Sequence, residues 1–243
     1  MENRFNAIPA AERIIVALDC PVSRARELAD MLEGHAVWLK VGMTLFYQTG
    51  PAIVEEFRNR GFKVFVDLKF HDIPHQVAGA AQSVAAIGAD MITMHAAGGV
   101  EMMRAGVEGI RKGVEKRGAS EMPVSLAITV LTSMDEDALA ASGVNRPIAE
   151  QVEALALLAQ QAGVTGVVAS PLEAPLLREV LGPDAYIVTP GVRPAESDKG
   201  DQSRVTTPAQ AFSNGSSHVV IGRPITQADD PAAAFDAIVA SII

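Results

Sequence analysis

Cysteine is almost absent from this chain, because Cys20 is the single thiol among its 243 residues. One cysteine can build neither a disulfide framework nor a cysteine zinc cluster, so the sequence favours a reducing compartment and we expect a cytoplasmic protein. The opening residues, MENRFNAIPAAER, hold no apolar stretch of signal-peptide length. No window approaches the roughly 20 apolar residues of a membrane helix, so we expect neither export nor a membrane anchor.

Positive charge is also scarce, since 20 Lys and Arg residues face 29 Asp and Glu residues for a net charge of -9. We therefore expect no nucleic-acid partner and no membrane partner, and an anionic ligand would need a local basic pocket. Low-complexity runs are missing, and 49% apolar and 20% charged residues indicate a globular chain. Neither GxGxxG after the first strand nor GxxxxGK[ST] occurs, so the usual nucleotide-binding signatures of open sheets are absent.

Short apolar runs rich in β-branched residues recur along the whole sequence and predict eight strands. They end at Leu18, Val41, Leu68, His95, Leu131, Ser170, Thr189 and Gly222. Helical spacing of apolar residues predicts eight helices between and after them, at 23–32, 51–60, 74–87, 100–117, 147–161, 172–180, 208–212 and 231–243. Because this alternation fits a closed barrel better than an open doubly wound sheet, we predict an α/β fold, a single (β/α)₈ TIM barrel over residues 1–243.

Charged side chains gather at the carboxyl ends of the predicted strands, where barrel enzymes build their sites. The run KVFVDLKFHDIP is the richest. Side chains alternate along a strand, so Asp67 and Lys69 share the inward face while the wholly apolar face belongs against the outer helices. Adjacent strands lie about 4.8 Å apart, so Lys40 on the neighbouring strand can reach Asp67. Asp72 follows on the loop, which gives four charges of alternating sign.

We call Lys40, Asp67, Lys69 and Asp72 the charged array, and the sequence leaves two interpretations of it. One is a structural ion-pair network that closes the barrel top. The other is acid catalysis, which we favour because Asp19 also ends a strand, either as a cap or as a group that binds hydroxyls. Alternating charges keep each lysine protonated, which suits a proton donor, and two ammonium groups discourage a divalent metal. We therefore predict a metal-free site.

A phosphate site is predicted beside the array, because barrels frequently bind phosphate with the loops after strands seven and eight. The seventh loop carries Arg193 and Gln202, and strand eight leads into Gly222 and Arg223. Glycine lets a backbone N–H approach an oxyanion closely, and arginine adds a forked charge-assisted contact. Thr132 after strand five is either a structural hydroxyl or a ligand contact.

Several motifs resemble those of the orotidine 5′-phosphate decarboxylase family in its bacterial form. They are VALD ending at Asp19, LKVGM, DLKFHDIP, MHAAGG, VLTS, TPGVRP with KGDQSR, and VIGRPIT, and they run through nearly the whole chain. DLKxxDIP, PGxRP and GRPIT in this order are specific, whereas DxKxxD alone also occurs in related sugar-phosphate decarboxylases and aldolases. The resemblance implies conversion of orotidine 5′-monophosphate to UMP in pyrimidine biosynthesis, without a cofactor.

The resemblance also implies a role for each matched residue. Lys69 would give the proton to C6 of the pyrimidine, and Asp72 would reach the site from the partner subunit of a homodimer. Asp19 and Lys40 would contact ribose hydroxyls, next to Asp67. Further substrate contacts are implied at Ile73, Thr132 and Pro190, and phosphate contacts at Arg193, Gln202, Gly222 and Arg223.

Two other functions remain open at this point. The nearer is a metal-dependent sugar-phosphate decarboxylase or aldolase of the same barrel group, whose members carry an acidic metal ligand where this chain has Lys40. The other is a barrel that senses a phosphate ligand, which would bind UMP-like compounds without turnover. Lys40 argues against the first, and a turnover assay separates the second.

Overall fold

Eight parallel strands close into a barrel in the computed structural model, which describes residues 3–193 and 206–242. Each strand pairs with the next along the chain, and the last pairs with the first. The strands are β1 Ile14–Ala17, β2 Trp38–Gly42, β3 Lys63–Phe70, β4 Met91–His95, β5 Val124–Ile128, β6 Gly166–Val168, β7 Tyr186–Thr189 and β8 His218–Ile221. The barrel confirms the predicted fold class, and the single-domain extent of 1–243 stays a prediction.

Helices cover the outside of the barrel. In the described part of the chain they are α1 Val22–Leu32, α2 Met43–Thr49, α3 Ala52–Asn59, α4 Pro74–Ala86, α5 Gly99–Arg117, α6 Glu136–Ala141, α7 Ile148–Gln161, α8 Ala174–Leu181, α9 Pro208–Ser213, α10 Arg223–Thr226 and α11 Pro231–Ala240. Eight of them match the predicted helices, and the short α2, α6 and α10 were not predicted. Within residues 3–193 and 206–242, no helix has the length and apolar character needed to cross a bilayer.

Helix starts follow local chemistry. Proline is the first residue of α4, α9 and α11, where its missing N–H has no intrahelical acceptor to lose. The side chains of Thr207 and Asp230 cap α9 and α11 by accepting hydrogen bonds from the backbone N–H groups of Gln210 and Ala233. These signals explain why α9 and α11 begin where the sequence predicted.

The apolar core has two parts, one inside the barrel and one between the strands and the helices. The inner part consists of Ile15, Trp38, Phe65, Met91, Leu126 and Val188. Val64 and Val66, which alternate with Phe65 on β3, belong to the outer part. The predicted assignment of the two faces of β3 is therefore confirmed, and Asp67 lies on the inward side.

Three predicted strand ends are wrong by two or three residues. The structure ends β3 at Phe70 rather than Leu68, β5 at Ile128 rather than Leu131, and β6 at Val168 rather than Ser170. The apolar pattern continues past β5 because Val130 is buried in the outer core after the chain has left the sheet. The apolar pattern in the sequence follows the burial of side chains. Here burial continues past the last residue that pairs with a neighbouring strand.

Candidate active site

A cavity of about 930 Å³ opens at the carboxyl ends of the strands. Nine predicted site residues line it: Asp19, Lys40, Asp67, Lys69, Thr132, Pro190, Arg193, Gly222 and Arg223. Phe65 lines this cavity and also belongs to the apolar cluster inside the barrel, so the cavity is in direct contact with the packed barrel interior. This is the end of a barrel at which enzymes of the fold bind their substrates.

Two lysines meet one carboxylate oxygen at the base of the cavity. The ammonium nitrogen Nζ of Lys69 lies 2.8 Å from Oδ2 of Asp67, and Nζ of Lys40 lies 3.5 Å from the same oxygen. Side-chain exposure is 9% for Lys40 and 10% for Asp67, against 28% for Lys69. Lys69 is therefore the member of the three that the cavity reaches most directly.

Asp67 is held as a carboxylate. Its burial raises its pKa, but the charges of Lys40 and Lys69 and hydrogen bonds from Lys69 and Thr93 lower the pKa further, so that the net shift is downward. A buried negative charge between two ammonium groups is stable only while all three stay in place. Asp67 therefore supplies a fixed negative charge at the base of the cavity at neutral pH.

Asp19 extends this arrangement toward solvent. Its Oδ1 lies 2.9 Å from Nζ of Lys40, and its side chain is 60% exposed. Gly42, the last residue of β2, leaves the space that the pair occupies: a Cβ there would lie 2.7 Å from Oδ1 of Asp19 and 3.0 Å from Nζ of Lys40. Asp19 and Lys40 thus present an acceptor and a donor side by side, which suits a pair of hydroxyl groups.

The backbone is strained at Lys69, whose φ of 53° is the only positive value among the described residues other than glycine. The pairing of β3 with β4 also shifts there: Val66 is opposite Ile92, but Phe70 is opposite Met94. Three residues of β3 therefore face one residue of β4, Thr93. Backbone strain of this kind persists where surrounding contacts hold it, and it concentrates at functional sites.

Thr93 is a site residue that the sequence analysis missed. Its hydroxyl accepts a hydrogen bond from the backbone N–H of Lys69 (3.0 Å) and donates one to Oδ1 of Asp67 (2.9 Å). Alternation along β4 could have identified Thr93, because it lies on the same face of the strand as Met91, which packs inside the barrel. A hydroxyl on that face needs a polar partner, and the neighbouring strand supplies it.

The described residues that are predicted to bind phosphate line the cavity next to β7 and β8. Arg193 is 7% exposed, and its backbone N–H donates to the carbonyl oxygen of Thr206 (3.0 Å). Arg223 begins α10, directly after Gly222. Arg24, which the sequence analysis did not select, also lines the cavity and donates to the carbonyl oxygen of Thr226 in α10 (3.2 Å). Three arginines therefore line the cavity.

Two predicted site residues are not brought to this cavity. Asp72 and Ile73 lie on the exposed loop after β3, outside the lining, and the carboxylate of Asp72 accepts a hydrogen bond from the backbone N–H of Ile73 (2.6 Å). Gln202 lies outside the described residues. In one chain, therefore, the charged array has three members at the cavity and a fourth elsewhere.

His95 ends β4 beside the charged array. Burial, with smaller contributions from the charges of His71 and Lys69, lowers the pKa of His95, so its ring is neutral at neutral pH. The rings of His71 and His95 are 5.2 Å apart. No group of three or more His, Cys, Asp and Glu side chains in the part of the chain that the structure describes is placed to hold a metal ion.

Comparison with known proteins assigns the family. The Orotidine 5'-phosphate decarboxylase / HUMPS family matches residues 12–238. The chain belongs to this family. Two relatives named orotidine 5'-phosphate decarboxylase are similar to it: one from Moorella thermoacetica is 51% identical over 96% of this chain and 93% of its own length, and one from Cutibacterium acnes is 49% identical over 93% and 94%.

A solved structure supports the same assignment. The crystal structure of orotidine 5'-phosphate decarboxylase from Lactobacillus acidophilus matches with a TM-score of 0.85 at 39% identity, and the match covers 95% of this chain and 99% of that one. The resemblance inferred from the sequence motifs is thereby confirmed. Family membership spans nearly the whole barrel, including every described residue of the cavity.

Proposed function

We propose that this member of the orotidine 5′-phosphate decarboxylase family converts orotidine 5′-monophosphate to UMP without a metal ion, with Lys69 as the proton donor. The observation that carries the proposal is the contact of Lys40 and Lys69 with one buried oxygen of Asp67 at the base of a cavity bounded by arginines. Pyrimidine biosynthesis in the cytoplasm is the corresponding cellular role.

The reaction replaces a carboxylate by hydrogen at C6 of the pyrimidine. The bond between C6 and the carboxylate carbon breaks, CO₂ leaves, and the electron pair stays on C6 as a carbanion. The Lys69 ammonium stabilises that developing negative charge electrostatically and then transfers a proton from Nζ to C6. Water re-protonates the lysine after release. No electron acceptor is needed, because the pair released from carbon ends in the new C–H bond.

The other residues position the substrate. Asp19 and Lys40 would bind the ribose hydroxyls, and Arg193, Gln202, Gly222 and Arg223 would bind the phosphate. Ile73, Thr132 and Pro190 would complete the contacts. The lysine pair also argues against the sugar-phosphate alternative, since ammonium groups at 3.5 Å and 2.8 Å from Asp67 occupy the space beside the buried carboxylate that a cation would need.

Asp72 enters this proposal through a homodimer. In its own chain it lies on an exposed loop outside the cavity lining. Ile73 beside it is 63% exposed in the single chain and would be covered by a second copy. Asp72 of the partner subunit would then approach Lys69 and complete the charged array.

Turnover of orotidine 5′-phosphate, followed as loss of orotate absorbance, tests the function directly. We expect turnover that is unchanged after exhaustive chelation, and a loss of many orders of magnitude in Lys69→Ala with UMP binding retained. The control Lys116→Ala removes an exposed lysine of α5 and should match the wild type.

Three results would contradict the proposal. Lys69→Ala activity within about tenfold of wild type, about 1.4 kcal/mol of barrier, is too small a loss for a proton donor. Activity that vanished on chelation and returned with Mg²⁺ would support the sugar-phosphate alternative. Binding of UMP without turnover of orotidine 5′-phosphate would indicate a sensor.

A further inference from the structure

Thr93 lies where the pairing of β3 with β4 is interrupted. The register offset changes between Val66 and Phe70, so the ladder between the two strands is broken over residues 67–69. Where strand pairing is interrupted, backbone N–H groups lose their acceptors on the neighbouring strand and need others. The hydroxyl of Thr93 accepts the N–H of Lys69 at 3.0 Å and so replaces a lost ladder bond.

This bond acts on a backbone conformation that Lys69 would not adopt by itself. A φ of 53° lies in the left-handed region, which residues other than glycine rarely adopt. The conformation fixes where the lysine side chain leaves the strand and therefore where Nζ lies. A contact that holds this backbone contributes to the position of the proton donor.

The same hydroxyl controls the orientation of Asp67. Thr93 donates to Oδ1, whereas both lysines contact Oδ2. The two oxygens of the carboxylate therefore have separate partners, which prevents rotation about the bond to the carboxylate carbon. Thr93 is fully buried, so no water can take over either hydrogen bond without repacking.

We propose that Thr93 is a positioning residue of the decarboxylase site, whose single hydroxyl fixes both the backbone of Lys69 and the rotation of the Asp67 carboxylate. It acts through those two residues and not on the substrate. The expected effect of Thr93 on kcat rests on the proposed function. Its expected effect on the pKa of Asp67 does not.

Thr93→Val and Thr93→Ser form the matched pair that tests the proposal. Valine keeps the shape but removes the hydroxyl, and serine keeps the hydroxyl. We expect kcat for orotidine 5′-phosphate to fall at least tenfold in Thr93→Val, UMP affinity to stay within about threefold of wild type, and Thr93→Ser to recover kcat to within about threefold. This is the scale expected for hydrogen bonds that involve a charged group.

A second measurement does not depend on turnover. Carbon-13 labelling of the aspartate carboxyl groups, with Asp67→Asn for assignment, reports the pKa of Asp67 by NMR in each variant. Because a donor to the charged form is lost, the pKa of Asp67 should rise in Thr93→Val and return toward the wild-type value in Thr93→Ser. If Thr93→Val does not fold, Thr93→Ala replaces it in both measurements.

Two outcomes would overturn the proposal: an unchanged pKa of Asp67 when the hydroxyl is removed, or an equal loss of kcat in the serine and valine variants. A wild-type protein that fails to decarboxylate would instead overturn the proposed function, and the NMR comparison would still decide the role of Thr93.

Discussion

Arg193 and Arg223 bound the same cavity but differ in how the fold holds them. Arg193 is buried, and the isolated bridge between Val192 and Thr206 fixes its backbone, whereas Arg223 is exposed at the start of α10. A bound ligand would cover the exposed side chain of Arg223, whereas Arg193 is already buried without one. The energetic contribution of Arg223 should therefore depend on whether the ligand carries a phosphate.

Arg223→Ala should lower kcat/KM for orotidine 5′-phosphate by about 3–5 kcal/mol, the scale of truncating one partner of a desolvated charge pair. Part of the loss should appear in kcat, because binding of a non-reacting group offsets the cost of ordering and desolvation at the reacting one. Steady-state kinetics on the phosphate ester and on orotidine gives the comparison. Equal losses of kcat/KM on the two substrates would mean that Arg223 stabilises the barrel rather than binding the phosphate.

At the scale of single residues, the sequence predicts contacts that follow from spacing along and between strands. Alternation placed Asp67 and Lys69 on the inward face, and strand separation placed Lys40 within reach. Thr93 was missed because its role depends on a shift in register, and period-two reasoning assumes that the register is constant. The left-handed backbone of Lys69 has the same cause and likewise has no sequence signature.

At the scale of elements, α4 and α5 approach each other closely enough for backbone contact. A Cβ at Gly109 of α5 would overlap the carbonyl oxygen of Ala78 in α4, and one at Gly113 would overlap that of Gln82. The two glycines are one turn apart, so they form a single strip along α5. Helical periodicity predicted both helices, but it says nothing about the distance between them.

Gly109→Ala should destabilise the fold by about 1–3 kcal/mol, because the added methyl group forces the two helices apart. Gly79→Ala is the matched control: its Cβ would have nothing within 4 Å, so it should leave stability unchanged or slightly raised. Urea unfolding of both variants measures the difference. The close contact would be disproved by a Gly109→Ala protein as stable as wild type.

At the scale of the whole molecule, the barrel contains a histidine that its surroundings keep neutral. His218 is 3% exposed and stacks on Tyr186, with ring centroids 5.6 Å apart. Burial, helped by the charges of Arg13 and Lys63, lowers the pKa of His218 from 6.5 to about 3. This group contributes stability that is complete above the unfolded pKa and is lost as the pH falls toward the folded one.

Between pH 6 and pH 4 the unfolded chain binds a proton at His218 that the folded chain does not, so this group should lower stability by about 1.4 kcal/mol per pH unit as the pH falls. His218→Gln should flatten the dependence by that amount, measured as unfolding free energy in urea at several pH values. The matched control is the same substitution at an exposed histidine, His75→Gln. Parallel curves for His218→Gln and wild type would mean that the ring is protonated in the folded barrel.

The predicted association of two barrels is the part of the proposed site that one sequence and one chain specify least. Strand spacing predicted three members of the charged array at one cavity, whereas Asp72 follows the end of β3 and lies outside the lining. Contacts between copies leave no periodic pattern in a sequence, since they depend on the shape of a surface rather than on position along an element. The predicted sharing of Asp72 therefore needs a test in which subunits are mixed.

Lys69→Ala and Asp72→Ala, each inactive alone, should regain activity when mixed under conditions in which subunits exchange. A hybrid dimer has one site with both residues altered and one with Lys69 of one chain and Asp72 of the partner subunit intact. Random exchange makes half of the dimers hybrids, so recovery should approach about a quarter of wild-type turnover. Mixing Lys69→Ala with Asp67→Ala is the control and should recover nothing, because Asp67 and Lys69 contact each other within one chain. If mass spectrometry shows hybrids and turnover stays absent in the first mixture, Asp72 acts within its own chain and the loop after β3 must move to reach the cavity.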